Sequence, residues 1–308
     1  MEVIRGLAKA QDRLADVERT VTAIGVFDGV HLGHCRVIKN ACDCAAQMQA
    51  LSLVFTFDYH PEGALNSKNG PPSIVSTEHK IKLIDALGVD FCVIPDFKTE
   101  LSCLGPKEFI RDVLVKKLKV KAICVGHDFR FGKARAGDID LLKQLAVGLG
   151  LKVIIADPVK AEQKIISSSL IREMIMTGDL EKAGKLLGRP VSVLGTVVKG
   201  QQRGRDFNYP TANIDPHHEA LPSAGVYCIQ AGYEGQMYKG LLNIGVAPTF
   251  EENENRIEVH LFDFNENIYG KDLEVIFVKK IRDEIKFSSC RDLVKQIQAD
   301  EDLARKIL

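Results

Sequence analysis

Two histidines three residues apart stand in the stretch Ala23-Ile-Gly-Val-Phe-Asp-Gly-Val-His-Leu-Gly-His34. An apolar run, Val21 to Phe27, leads into it and breaks at Asp28-Gly29. Beyond it Val37, Ile38, Ala41, Ala45 and Met48 recur at helical spacing. The pattern predicts a strand, a tight glycine loop and a helix, with His31 and His34 at or just before the first helical turn. Free backbone N–H groups and the positive end of the helix dipole favour a bound phosphate there. Two imidazoles added to that place could hold a phosphate whose charge grows during a reaction. Gly25, Gly29 and Gly33 allow close backbone approach. The competing account is a loop with two solvated histidines.

Two further stretches carry chemistry in the second half. In Lys199-Gly-Gln-Gln-Arg-Gly-Arg-Asp-Phe-Asn-Tyr-Pro-Thr-Ala-Asn-Ile214, Gly200 and Gly204 let the backbone curl round a phosphate. Lys199, Arg203 and Arg205 supply charge, and Pro210 stiffens the turn. Thr211 and Asn213 offer hard oxygens two residues apart, suited to Mg²⁺ carrying a nucleotide phosphate. A basic hairpin loop is the plainer account. In Arg256-Ile-Glu-Val-His-Leu-Phe-Asp-Phe264, strand alternation puts Ile257, Val259 and Leu261 on one face and Arg256, Glu258 and His260 on the other. A general base on a rigid strand would be held well at Glu258; a surface Glu–Arg strand face explains the same pattern.

Smaller groups lie between these. In Gly126-His-Asp-Phe-Arg-Phe-Gly-Lys-Ala-Arg-Ala-Gly-Asp138, Phe129 and Phe131 could stack on a flat ring while Asp128 hydrogen-bonds, with Lys133 and Arg135 adding charge. The alternative is a solvated loop with two anchoring phenylalanines. Ser167-Ser-Ser-Leu-Ile-Arg172 opens a helix whose hydroxyls cap free N–H groups, and Arg172 could reach a phosphate with its planar fork.

The elements that must position these groups follow from the apolar pattern. Residues 51–57, 89–94, 120–125 and 151–156 read as strands that are near-continuous apolar runs, as in a sheet covered on both faces. Helices at 77–87, with Thr77 as candidate N-cap, 106–118 and 138–149 alternate with them. The first half is therefore expected to be a doubly wound α/β domain, with ligands outside the carboxyl ends of its strands. A short helix, 179–188, stops at Gly188. Thereafter short runs at 191–198, 225–230, 239–244, 257–261 and 273–278 predict an antiparallel sandwich or barrel, closed by a helix over 288–308. The expected domains are 1–186 and 187–308.

Composition narrows the classes. With 41 Lys+Arg against 41 Asp+Glu the formal net charge is zero, which argues against general nucleic-acid binding. No apolar run reaches a membrane span, and the first residues form no secretory signal. The eight cysteines include no Cys-x-x-Cys pair; Cys35, Cys92, Cys103, Cys124 and Cys228 lie in or beside apolar runs, as buried reduced thiols in the cytosol would. No obligate protein partner is evident.

Gly25-Val-Phe-Asp-Gly-Val-His-Leu-Gly-His34 resembles the nucleotide-binding motif of the nucleotidylyltransferase superfamily. Together with Phe57-Asp-Tyr-His-Pro61, Gly126-His-Asp-Phe-Arg-Phe-Gly132 and Ser167-Ser-Ser-Leu-Ile-Arg172, it resembles the FMN adenylyltransferase module of prokaryotic bifunctional riboflavin kinase/FAD synthetases. The resemblance implies that His31, His34, Ser168 and Arg172 contact ATP phosphates beside Gly25, Phe27, Asp28 and Gly29. It also implies that Asp128 helps hold the nucleotide and that Phe131 lies near the flavin. Ser169-Leu170 stands where the family often has Thr-Arg. Arg203-Gly-Arg205, Pro210-Thr-Ala-Asn213, Asn243-Ile-Gly245, Pro248-Thr-Phe250 and Glu258-Val-His-Leu261 resemble the family's riboflavin kinase module, a six-stranded barrel. This implies that Thr211 and Asn213 bind metal and phosphates, with Arg203, Gly204 and Arg205 in the phosphate loop, and that Glu258 activates the flavin's 5′-hydroxyl. Phe207-Asn208 and Ala247 depart from the family's usual Leu-Gly and basic residue. The expected activities are riboflavin to FMN with Mg-ATP, then FMN to FAD with release of pyrophosphate. The alternatives are a riboflavin kinase whose adenylyltransferase module is degraded, for which Leu170 speaks, a flavin-binding regulator, and another nucleotidylyltransferase.

Overall fold

The apolar runs of the first half pair as a six-stranded sheet. Its strands are β1 (Glu2–Arg5), β2 (Thr20–Ile24), β3 (Leu51–Phe55), β4 (Phe91–Ile94), β5 (Val120–Gly126) and β6 (Lys152–Ala156). They lie in the order β1-β4-β3-β2-β5-β6, and every pairing is parallel. The structure, a computed structural model, describes residues 1–58, 71–161, 163–199, 209–217, 219–246 and 255–308. By contact the chain forms two compact units, Met1–Pro71 with Thr77–Ser168, and Pro72–Ser76 with Ser169–Leu308.

Both faces of the parallel sheet are covered, as continuous apolar strands require. One face packs Leu7, Leu14, Phe55, Phe109, Ile110, Leu114 and Leu142. The other packs Val21, Ala23, Val37, Ile38, Ala41, Val54 and Ile84. Three details differ from the pattern reading. The edge strand β1 was not anticipated. β3 ends at Phe55; beyond it Thr56 N–H donates to the Val93 carbonyl, the Thr56 hydroxyl donates to the Val26 carbonyl, and the Phe57 carbonyl accepts from Lys80 Nζ. Thr77 is the first residue of the Thr77–Asp85 helix rather than its cap, and its hydroxyl donates to the Asp58 carbonyl. Asp138 does cap the Ile139–Leu149 helix, accepting from Leu141 N–H at 3.0 Å. Burial pushes the Cys92 and Cys124 thiols up to about 12, which leaves them unreactive; Cys103, expected to be buried, is exposed.

After the hairpin β7 (Lys160–Ala161) and β8 (Lys164–Ile165), the helices Ser168–Thr177 and Leu180–Leu187 lead to a barrel. Its strands are β9 (Ser192–Val198), β10 (Ala212–Asp215), β11 (Gly225–Tyr233), β12 (Gln236–Val246), β13 (Asn255–Leu261) and β14 (Asp272–Arg282). The order β10-β13-β12-β11-β14-β9 closes on itself, all antiparallel, which removes free sheet edges. The β11–β12 hairpin is longer than its apolar runs suggest. Glu234 and Gly235 turn it with φ of 47° and 80°, the left-handed pair that a two-residue hairpin loop needs.

Pro72–Ser76, far away in sequence, is built into this second unit. The buried Glu219 carboxylate accepts from Ser76 N–H at 2.6 Å and from Leu194 N–H at 3.3 Å. Ala220 N–H donates to the Ser73 carbonyl at 2.6 Å, and Arg172 Nε–H to the Pro72 carbonyl at 2.6 Å. Glu219→Ala leaves two buried N–H groups without this acceptor and is expected to cost about 2–4 kcal/mol. Urea unfolding followed by tyrosine fluorescence measures it, since the chain has no tryptophan and Tyr209, Tyr227, Tyr233, Tyr238 and Tyr269 lie in the second unit. An unchanged midpoint would mean that the strap does not stabilise the barrel unit.

Candidate active sites

β2 and β5 are neighbours, and the chain runs from β2 to β3 on one side and from β5 to β6 on the other, so the crossovers that leave these two strands go in opposite directions. The crevice at the carboxyl ends of β2 and β5 is where a doubly wound sheet takes its ligand. The loop after β2 enters it with Phe27 at φ 52°, Gly29 at φ 82° and Val30 at φ 40°. Two non-glycine residues in the left-handed region within four positions are a local strain held by their surroundings. The buried Phe27 ring fills the place of a side chain at residue 25: a Cβ on Gly25 would lie 2.7 Å from it.

The histidines do different work. His31 is the N-cap of the Leu32–Met48 helix, and its Nδ1 accepts from the N–H groups of Gly33 at 3.1 Å and His34 at 3.3 Å. It therefore takes two of the free N–H groups that would otherwise meet an anion, and leaves Nε2 as its donor. The His34 ring stacks on His31 with centroids 3.6 Å apart and meets the Phe27 ring edge-on at 5.4 Å. Its Nδ1 is buried and has no partner among the described residues. Burial, then His31, then the nearby Lys80 ammonium hold His34 well below its ordinary value, so it is neutral near pH 7. Ser168 Oγ–H donates to the Asp28 carbonyl at 2.9 Å. The first unit thus gathers Gly25, Phe27, Asp28, Gly29, His31, His34 and Ser168, while Arg172 belongs to the second.

The loop after β5 is arranged otherwise than expected. The rings of Phe129 and Phe131 stack on each other, centroids 5.4 Å apart and 12° from parallel. Phe131 is buried, packs beside Phe109 at 6.1 Å and belongs to the core. Phe129 is half-buried, and Asp128, Lys133 and Arg135 are exposed.

In the barrel, cross-strand register assembles the second site. Asn213 on β10 pairs with Glu258 on β13, Glu258 with Asn243 on β12, Asn243 with Val226 on β11, and Val226 with Arg282 on β14. Residues in such a row share a face. Ile257, Val259 and Leu261 are buried on the opposite face, as alternation demands. The row lines a cavity of about 390 Å³ with Thr211, His260 and Glu284, and with Leu293, Ile297 and Asp300 of the Cys290–Ile307 helix. The Glu258 carboxylate and the amides of Asn213 and Asn243 thus share a space of ligand size with Leu293 and Ile297 of that helix. Glu258 is therefore not on an open strand face. His260 Nδ1–H donates to the Pro210 carbonyl at 2.9 Å, which pins the turn before Thr211 onto β13. Asp300 holds Arg282 through Nε at 2.9 Å and Nη2 at 2.8 Å. Lys199 is exposed, next to Val198, the register partner of Asn213 on β9. Arg203, Gly204 and Arg205, with Phe207-Asn208, Ala247 and Tyr59-His-Pro61, lie outside the described residues.

Asn243, Arg282 and Lys80 were not singled out as site residues beforehand. Asn243 opens the Asn243-Ile-Gly245 motif, which is its signal in the sequence. Arg282 and Asp300 are 18 residues apart in sequence and carry none.

A glycine loop and histidine pair at the switch point of a parallel sheet, followed by a small closed barrel with a carboxylate-lined cleft, define a two-module nucleotide-using transferase. Models for FAD synthetase and for riboflavin kinase match residues 14–170 and 187–308. Curated relatives described as bifunctional riboflavin kinase/FMN adenylyltransferase align nearly end to end. The protein of Buchnera aphidicola subsp. Schizaphis graminum is 37% identical, covering 99% of this chain and 98% of its own. That of Bacillus subtilis is 36% identical over 93% and 92%, and that of Escherichia coli K12 33% over 99% and 97%. The chain belongs to the bifunctional riboflavin kinase/FMN adenylyltransferase family. A solved Streptococcus pneumoniae structure described as a macrolide-efflux protein shares the fold over 99% of both chains, with a TM-score of 0.83 and 33% identity. Among the described residues of this chain no helix is long and apolar enough to cross a membrane.

Proposed function

We propose that this chain makes FMN from riboflavin in residues 187–308 and FAD from FMN in residues 1–186. The observation that carries the reading is the tandem match of both enzyme models, which speaks for two activities rather than for a kinase alone. In the kinase module the 5′-hydroxyl of riboflavin attacks the γ-phosphorus of ATP. Glu258 takes the hydroxyl proton, and ADP leaves. Thr211 and Asn213, beside Glu258 on the cavity wall, fit a hard divalent cation that arrives with nucleotide phosphate. Mg²⁺ bound there neutralises phosphate charge. Lys199, Arg203, Gly204 and Arg205 are assigned to the same phosphates from their motif.

In the adenylyltransferase module an FMN phosphate oxygen attacks the α-phosphorus of ATP, and pyrophosphate leaves. No covalent enzyme intermediate is needed; alignment and charge stabilisation suffice. His31 Nε2–H and His34 offer donors, the Gly25–Gly29 loop offers backbone, and Ser168 and Arg172 are assigned to phosphate from their motif. Asp128 and Phe129 face the flavin or adenine, with Phe131 supporting Phe129. Incubation of the full chain with riboflavin, ATP and Mg²⁺, followed by chromatography, is expected to yield FMN and then FAD. FMN without FAD would leave a kinase with a degraded adenylyltransferase module.

A further inference from the structure

Lys80 is only 4% exposed, yet the adenylyl-transfer chemistry assigns it nothing. On its helix, Thr77–Asp85, it shares a face with the buried Ile84, where a lysine is out of place. Lys80 Nζ–H donates to the Phe57 carbonyl at 2.5 Å and to the Val26 carbonyl at 3.2 Å. Each carbonyl lies two residues beyond the end of its strand, β2 or β3. The same Val26 carbonyl accepts from the Thr56 hydroxyl at 3.0 Å. Val26 immediately precedes the left-handed Phe27 that starts the strained turn. A strained turn keeps its shape only where other contacts over-determine it, and a buried ammonium is kept only where carbonyls and carboxylates compensate its lost hydration.

We propose that Lys80 is a positioning residue for adenylyl transfer, clamping the ends of β2 and β3 and so setting the turn that carries His31 and His34. The inference rests on the assignment of FAD formation to the first module. The ammonium also acts on the histidines through space. Asp28, Asp58 and Glu78 offset its burial, yet it still contributes to keeping His34 neutral beside His31. Arg5, which pairs with Asp58 at 2.7 Å and Glu78 at 3.4 Å, weakens that offset.

Two full-length variants separate clamp from charge. Lys80→Met removes both; Lys80→Gln keeps a donor and removes the charge. FAD formation from added FMN and ATP is expected to fall about a hundredfold in Lys80→Met, with a smaller loss in Lys80→Gln. FMN formation from riboflavin by the same molecules should be unchanged, which shows that the second unit is folded, and dispersed amide signals in the NMR spectrum show that the first unit, which holds Lys80, is folded as well. The His34 imidazole, followed by NMR, should titrate at higher pH in both variants, because a nearby positive charge is gone. Wild-type FAD formation in Lys80→Met would overturn the proposal. So would an unmoved His34 titration in both variants, or an equal loss of both activities. If the wild-type chain makes no FAD at all while the histidine titration moves as expected, the assignment of the module fails, and with it the role of Lys80 in adenylyl transfer, while its charge effect on His34 stands.

Discussion

In Glu258→Ala, FMN formation from riboflavin is expected to fall by about 10²–10⁴-fold, the range that removing a positioned general base produces. FAD formation from added FMN should persist at the wild-type rate. The expectation comes from register. Glu258 is held between Asn213 and Asn243 on neighbouring strands of a closed barrel, and it faces the cavity shared with the Cys290–Ile307 helix. Its place is thus set by three strands, and truncation leaves the ladder intact. Glu258→Gln keeps the shape and cannot take a proton, so it should lose nearly as much. A Gln variant with full kinase activity would show that Glu258 only shapes the pocket. Loss of both activities in either variant would mean that the two modules do not work separately.

The second large effect concerns His31. Because its Nδ1 caps the helix, His31→Ala removes a structural acceptor along with the imidazole. The cap alone is worth about 1 kcal/mol. His31→Asn replaces the acceptor, since an asparagine oxygen can take the same N–H groups, but it does not place a donor where Nε2–H was. FAD formation is therefore expected to fall about 10²–10³-fold in both variants, while the stability loss appears in His31→Ala and is mostly recovered in His31→Asn. Paired steady-state rates and urea unfolding check this. Recovery of the FAD rate along with stability in His31→Asn would reduce His31 to a cap.

The strands of the parallel sheet were legible because burial on both faces leaves them mostly apolar, as from Leu53 to Phe55 and Ile123 to Val125, with Thr20, Thr22 and Ser52 as buried polar exceptions. Glu258 and its alternating neighbours were legible for the complementary reason, one buried face and one polar. What escaped depended on partners distant in the chain. Lys80 is of a type that is ordinarily exposed although it shares a helix face with Ile84, and the Val26 and Phe57 carbonyls compensate its burial. Phe131 looked like a ligand-stacking ring because aromatic residues in a glycine-rich loop serve either use; Phe109, on another helix, draws it into the core. β10 was hidden inside a stretch read for its phosphate chemistry, where Pro210 and the basic residues argue for a loop. Buried Asp300 and half-buried Arg282 form a pair that neither local sequence announces.

The strap from Pro72 to Ser76 sets an order on synthesis. Ser76 leaves the ribosome 143 residues before Glu219, its acceptor. At about 5–20 residues per second that interval is roughly 7–29 s. Through it the strap waits without its barrel contacts, though Thr77–Ser168, which follows it, belongs to the first unit. The barrel unit therefore completes only after translation has returned to a segment made long before. A gene cut between residues 186 and 187 would separate the two catalytic functions on paper and leave the kinase fragment without the piece of chain that its Glu219 holds.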